Sequence, residues 1–252
     1  MPEPLRMAPA PSDPAPVPVA VPDSPYQFKT IDRYSSHSVI LSLLKSANNR
    51  RVLDVGAAHG YLAASLRARG FRVSAIEGNP DLARKAANYC DEIIVADLDG
   101  PLPTLSGRFD VIVYGDVLEH LKDPAGVLMS INQNLKPDGL VIISLPNIAN
   151  LYVRLHLLMG KFNYQDRGIL DRTHLRFFTR NTFREFLDDA SLEVLELTAT
   201  PIPLPLVVPE RYHGVLLSAI HSCNNWLARH WSTMFGYQFI AVARKKELSR
   251  EA

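Results

Sequence analysis

Residues 52–60 read VLDVGAAHG. Apolar residues surround an aspartate and lead into two glycines four positions apart: Asp54, Gly56 and Gly60. The next ten residues, YLAASLRARG, carry Leu62 and Leu66 at helical spacing and stop at Gly70, which suits a C-terminal cap. The stretch therefore reads as a turn from a buried strand into a helix. In open parallel sheets ligands sit beyond the carboxyl ends of the strands, where this turn lies. The plain alternative is a tight strand-to-helix turn that holds nothing.

The charge of the turn narrows its ligand. A dinucleotide site wants GxGxxG against a pyrophosphate at the helix N-terminus. Here the pattern is D-x-G-x-x-x-G, and Asp54 stands at the strand end. Two unit charges ~4 Å apart repel by about 4 kcal/mol at an effective dielectric near 20. A diphosphate is disfavoured, and with it a dinucleotide-dependent oxidoreductase. A cationic ligand reverses the sign. S-adenosyl-L-methionine carries an ammonium and a sulfonium and no phosphate. Gly56 and Gly60 let the backbone approach it closely. The P-loop pattern GxxxxGK[ST] does not occur in this turn.

Working outward, apolar runs alternate with helical patterns from Arg51 to Asn147. RRVLDVG, FRVSAIEGNP, EIIVADLD, FDVIVYGDVLEHL and LVIISLPN supply five strands. The helix PAGVLMSINQNLKPDG is expected to end before Pro137. Runs such as Val111–Tyr114 fit strands covered on both faces, so the region predicts an α/β, doubly wound parallel sheet. Glu77 ends the second strand and can accept from ribose hydroxyls, as it also would in a NAD site; its bland use is a charge at a helix N-terminus. Asp97 ends the third strand, followed by Leu98, and can accept from the adenine amino group; its bland use is a turn aspartate. The joint pattern, one acidic residue at each strand end in order, weighs more than any member.

The flanks differ. Nine of the first 25 residues are proline. That predicts a disordered or extended tail over residues 1–25 and a single domain over 26–248. After Asn147 come a helix (IANLYVRLHLLMG), a basic and aromatic stretch (KFNYQDRGILDRTHLRFFT), and a helix NTFREFLDDA with Asn181 as its expected N-cap. LEVLELTA and GYQFIAVAR read as further strands. Residues 211–231 form an amphipathic helix with Val215, Leu216, Ala219, Ile220, Cys223, Trp226 and Leu227 on one face. Packing on the sheet is the commoner use of such a face; weak membrane contact is the other.

Composition bounds the partners. The chain has 252 residues, 47% hydrophobic and 21% charged, with a net charge of +1. That balance gives no drive toward nucleic acid. Cys90 and Cys223 form no motif, which suits a reducing cytoplasmic setting. No run of about 18 apolar residues is present, so no spanning helix is expected.

On the stretches VLDVGAAHG, AIEGNP, ADLDG, FDVIVYGDVLEHLKDP and LKPDGLVIISLPN, the chain resembles the class I S-adenosylmethionine-dependent methyltransferases. DVLEHL resembles the small-molecule branch that includes the ubiquinone-biosynthesis O-methyltransferases, and GILDRTHLRFFT resembles a lid segment of that branch. The resemblance implies a Rossmann-like, seven-stranded, mostly parallel sheet. The last strand is antiparallel, and a helical lid insertion follows the fifth strand, over about 148–180. It implies cofactor contacts from Asp54, Gly56, Ala58, Gly60, Glu77, Asp97, Leu98 and Asp116. Ala58 departs from the family's glycine and is tolerable there if its φ is negative. The departure leaves room for a second reading, a non-catalytic module that binds the cofactor without reacting.

Methyl transfer to oxygen needs alignment, water exclusion and removal of a proton. His120, after the fourth strand, is the candidate base, with a reference pKa of ~6.5 suited to the task. Orienting the loop is its alternative use. Glu119, Asn147, Arg172 and His174 are the candidate acceptor contacts. An Asp116–Glu119–His120 metal site is conceivable, but loop hydrogen bonding is the simpler expectation and no metal is assigned. Lid arginines suit an anionic or sugar-linked small-molecule acceptor; a structural lid held by an Asp171–arginine pair is the alternative.

Overall fold

The computed structural model describes residues 32–44 and 49–246. The proline-rich tail lies outside the described residues, as do the outermost residues of the expected 26–248 domain.

Helix α1 (Ser36–Leu43) precedes the alternating core: β1 (Arg51–Val55), α2 (Tyr61–Ala68), β2 (Arg72–Glu77), α3 (Pro80–Ala86), β3 (Glu92–Val95), β4 (Phe109–Gly115), α4 (Pro124–Ile131) and β5 (Leu135–Pro146). After it come α5 (Leu151–Leu158), α6 (Arg180–Asp189), β6 (Leu192–Thr200), α7 (Leu204–Val207), α8 (Val215–His230), α9 (Ser232–Phe235) and β7 (Gln238–Lys245). The seven strands lie in the order β3-β2-β1-β4-β5-β7-β6. All neighbours are parallel except β7, which runs antiparallel to both β5 and β6. The expected sheet and its reversed last strand are both present.

Each central strand feeds two cores. In β4, Val111 and Val113 enter one apolar cluster with α1 and α2 residues such as Ile40 and Leu66. Ile112 and Tyr114 enter the other, with Leu128 of α4 and Phe183 of α6. Alternation of side chains along a strand sends neighbours to opposite faces. A strand covered on both faces must then be apolar where it is covered, as this one is from Val111 to Tyr114; Asp110, near its start, is half-buried and pairs with Lys136. The chain turns outward from β1 through β3 and restarts at β4 on the other side of β1. That reversal opens a crevice at the ends of β1 and β4, where ligands bind in such sheets.

Three local expectations are corrected. Helix α4 stops at Ile131, ahead of Pro137 as expected, but β5 begins at Leu135 and not at Leu140, so Lys136–Gly139 lie within it. The register there jumps from Phe109↔Leu135 to Val111↔Leu140, so β5 absorbs the extra residues as an irregularity. The N-cap of α6 is Thr179, which forms a reciprocal capping box with Thr182, and Asn181 is inside the helix. Finally, the apolar face of α8 does not pack inward. Val215, Leu216, Ala219, Ile220, Cys223 and Trp226 are exposed, while His221 and Ala228 are buried.

Candidate functional site

The β1–α2 turn is held by backbone geometry. Gly56 has φ +78°, and its N–H donates to the Ile76 carbonyl at 2.8 Å. A Cβ on Gly56 would lie 2.8 Å from Cγ2 of Val117. Gly60 has φ +77°, and a Cβ there would meet the Ala86 backbone at 2.8 Å. Ala58 has φ +47°, not the negative value its tolerance called for. Left-handed backbone costs a residue with a Cβ about 1–2 kcal/mol. A strong bond holds it there: the Ala58 N–H donates to Oε2 of Glu77 at 2.7 Å. The other oxygen, Oε1, accepts from the Asn79 N–H at 2.8 Å. Glu77 is buried and fixes both loops, and its remaining lone pairs can still accept hydroxyl donors.

Asp54 is 3% exposed. Among the described residues its Oδ2 has no hydrogen-bond partner. Burial, with the Glu77 carboxylate adding to it, pushes the Asp54 carboxyl up to about 7. A cavity of about 110 Å³ opens beside it, lined by His37, Gly56, Ala58, Tyr61, Gly115 and Asp116 among others. A buried carboxylate short of a partner, facing a cavity, calls for a cationic donor. The donor set therefore fits the ammonium-bearing end of S-adenosylmethionine.

Asp116 ends β4 with φ +57°. Its carboxylate accepts from Ser144 Oγ at 2.5 Å and from Ser36 Oγ at 3.1 Å. The start of α1 thus roofs the cavity, with Ser36 on Asp116 and His37 in the lining. Neither residue was foreseen, because only a contact across the fold brings α1 to this place. Asp97 is exposed and caps its own turn, with Oδ1 accepting from the Asp99 N–H at 3.0 Å. Leu98 is buried beside it.

The second half of the site is a histidine relay. Thr173 Oγ1 donates to Asp171 Oδ1 at 2.6 Å and lies 3.0 Å from His120 Nδ1. Its one hydroxyl proton is committed to the carboxylate. Its oxygen must therefore accept from Nδ1–H, which leaves Nε2 of a neutral His120 as the basic nitrogen. Burial alone would raise the Asp171 carboxyl, but the Thr173 hydroxyl and backbone N–H hold it below its ordinary value. His174 packs edge-on against His120, with ring centroids 4.8 Å apart. Its Nδ1–H donates to the Ile169 carbonyl at 3.1 Å. Burial first, then the charge of His120, lowers its pKa. His174 Nε2 lies 4.0 Å from Glu119 Oε1. Glu119, His120 and His174 place ligating atoms within 4.8 Å of one another, which would suit a divalent ion; Asp116 is outside this group.

Backbone bonds pin the lid to this cluster. The Glu119 carbonyl accepts from the N–H groups of Leu175 and Arg176 at 2.8 and 3.1 Å. Two expected acceptor contacts are not brought in. Asn147 is 0% exposed; its amide donates to the Gly236 carbonyl at 2.8 Å, and its oxygen accepts from the Ala149 N–H at 3.0 Å. It is a structural clamp. Arg172 is exposed and paired with Asp166 at 2.7 Å, so the expected Asp171–arginine pair gives way to the Asp171–Thr173 bonds.

Known proteins point the same way. A family model described as "Methyltransferase domain" matches residues 28–197. A ubiquinone biosynthesis O-methyltransferase of Rickettsia canadensis is 26% identical over 171 residues, covering 66% of this chain and 70% of its own. Among solved structures, a SAM-dependent methyltransferase of Thermotoga maritima, named as a possible histamine N-methyltransferase, superposes with a TM-score of 0.58. It is 16% identical and covers 83% of this chain and 87% of its own. The cyclase SpnF superposes with a TM-score of 0.55 at 19% identity, covering 83% of this chain and 80% of its own. At such identities these two likenesses show the fold alone. The domain match spans well over half of the chain, which therefore belongs to the methyltransferase-domain family and is an S-adenosylmethionine-dependent methyltransferase.

Proposed function

We propose that the chain methylates an oxygen atom of a small-molecule acceptor, with His120 as general base. The observation that carries this reading is the Asp171–Thr173–His120 relay, which fixes the tautomer of His120 and frees Nε2. The bound cofactor supplies an electrophilic methyl group on a sulfonium. Asp54 binds its ammonium end, and Gly56, Ala58 and Gly60 give it a close backbone floor. Glu77 accepts from the ribose hydroxyls, and Asp97 and Leu98 border the adenine. Asp116, tied to Ser36 and Ser144, holds the roof in place and helps to exclude water. Nε2 of His120 takes the acceptor's hydroxyl proton, and Nδ1–H stays on Thr173. Charge moves onto the imidazole as the proton arrives, and Asp171 stabilises it through the threonine hydroxyl.

Glu119 and His174 shape the acceptor side. An anionic or sugar-linked group on the acceptor is the narrower reading. Arg167, exposed in the lid, would serve it, because Arg172 is held by Asp166 and Arg176 by the Lys122 carbonyl at 2.6 Å. The distant O-methyltransferase relatives support oxygen as the target. His120→Ala should lower kcat by about 100-fold or more, with cofactor affinity retained. Full activity of that variant across the pH range would remove the base from His120.

A further inference from the structure

Two insertions leave the same edge of the sheet. Pro146 at the end of β5 pairs with Gln238 at the start of β7, and Gln238 pairs with Thr200 at the end of β6. This is the edge at which β1 and β4 deliver Asp54 and Asp116. Segments 147–180 and 201–237 therefore both crown the mouth of the site. They are clamped together there, since the side-chain amides of Asn147 and Asn150 both donate to the Gly236 carbonyl at 2.8 Å.

Both segments turn apolar side chains outward. Along α5 and the residues after it, Leu155, Leu158, Met159 and Phe162 recur at helical spacing and are 49%, 84%, 58% and 38% exposed. On α8, Val215 is 88% and Leu216 75% exposed. The inward side of α8 is mixed: His221 is buried against Asp32 at 3.2 Å and the Asn224 amide donates to the Ile202 carbonyl at 3.0 Å, beside half-buried Leu217 and buried Ala228. A surface helix in water turns its apolar stripe to the core. This one leaves Val215, Leu216, Ile220 and Trp226 outside, a surface that suits an apolar partner.

The charges around the apolar surface choose the partner. Residues 147–180 carry Asp166 and Asp171 against six Lys and Arg, and residues 201–237 carry Glu210 against Arg211 and Arg229. Arg154, Lys161, Arg211 and Arg229 are exposed in the same segments. A second copy docked by two-fold symmetry would set this cationic rim against itself. An anionic lipid surface matches it: aliphatic side chains enter the acyl boundary, Trp226, Trp231 and Tyr212 sit at the head groups, and the cations meet phosphates. Among the described residues no helix is long and apolar enough to cross a membrane, so the contact is interfacial. We infer that this rim docks on an anionic bilayer and brings the mouth of the site to the lipid surface. The inference does not depend on which atom is methylated.

The test is flotation of the full chain with vesicles of phosphatidylcholine alone and of phosphatidylcholine mixed with phosphatidylglycerol. The expected result is capture by the anionic vesicles, loss at high salt, and binding weakened about tenfold or more by Leu216→Asp with Ile220→Asp, and by Leu155→Asp with Leu158→Asp. All four positions are exposed, so the melting temperature and cofactor binding should be unchanged. If either pair lowers the melting temperature, the wild-type chain decides alone. Its only two tryptophans, Trp226 and Trp231, are both exposed, so their emission should shift to the blue when anionic vesicles are added. No capture and no shift would overturn the inference, as would capture that stable variants leave unchanged. A dimer that the same substitutions disperse would assign the surface to a second copy and overturn it as well.

Discussion

Replacing Asp54 by asparagine should stabilise the ligand-free protein while removing its hold on the cofactor. Burial and the nearby Glu77 charge carry the Asp54 carboxyl from 3.8 to about 7. The unfolded chain ionises it at the ordinary value. Between those values the native state keeps a proton that the unfolded state has released. The contribution of this group to stability therefore falls as pH rises from about 4 to about 7, and it stays lost above that. At about 1.4 kcal/mol for each factor of ten, the ionised carboxylate costs the empty protein on the order of 4 kcal/mol at alkaline pH. Asparagine has the same shape and no charge to desolvate, but its amide needs an acceptor, so the net gain should be about 2 kcal/mol at pH 8. Between pH 8 and about pH 4.5 the difference should move by about 3 kcal/mol in favour of the wild type, turning the gain into a loss of about 1 kcal/mol. Urea denaturation of both proteins without ligand, at the two pH values, measures it. Cofactor affinity of the variant should fall about 100-fold or more, because a buried charge-assisted bond is lost. A gain independent of pH, or a variant less stable than wild type at pH 8, would refute the account of Asp54 as an unsatisfied buried carboxylate.

Three further outcomes are expected. Ala58→Gly relieves a left-handed alanine and keeps the N–H bond to Glu77, so it should raise stability by about 0.5–1 kcal/mol after the entropy of glycine is charged against it; a lower melting temperature would contradict this. Thr173→Val removes the hydroxyl that links His120 Nδ1–H to Asp171 and leaves only the Thr173 carbonyl, at 3.3 Å, as its acceptor. It should cost about 10- to 100-fold in kcat and displace the pH–rate profile without changing cofactor affinity, and an unchanged profile would dismiss the relay. Asn147→Ala strips a donor from buried carbonyls of the α9 turn and should cost about 2–3 kcal/mol in urea denaturation; a loss within about 0.5 kcal/mol would show that the clamp is idle.

The fold was readable because its signals are local and repeat. Apolar runs such as Val111–Tyr114 fit a strand covered on both faces, and the alternation of five strand-like stretches with helical patterns settles the reading. The acid at the end of β1 was readable for the same reason, since strand end and charge lie in one short stretch. Long-range contacts were not readable. Ser36 reaches Asp116 across 80 positions, and only the folded sheet brings α1 over the cavity. The sign of φ at Ala58 depends on Glu77, which belongs to a different strand. Asn147 stands at a strand end beside the site, but the turn at Gly236 captures its side chain. Helix α8 has the expected period, but its apolar face lies outward and not on the sheet, the commoner of the two uses its pattern allows. Its orientation is set by Asp32, which pairs with His221 from 189 positions away. Pattern alone gives a helix two faces and does not say which one the core takes.

The most direct test of the central claim is transfer of label. Purified protein is incubated with methyl-labelled S-adenosylmethionine and fractionated host-cell extract, and the labelled product is identified by mass spectrometry. The expected result is label in a low-mass compound as an oxygen-linked methyl group, greatly reduced with His120→Ala and absent with Asp54→Ala. Label found only in protein or nucleic acid, or label undiminished by both substitutions, would contradict a small-molecule methyltransferase built on Asp54 and His120.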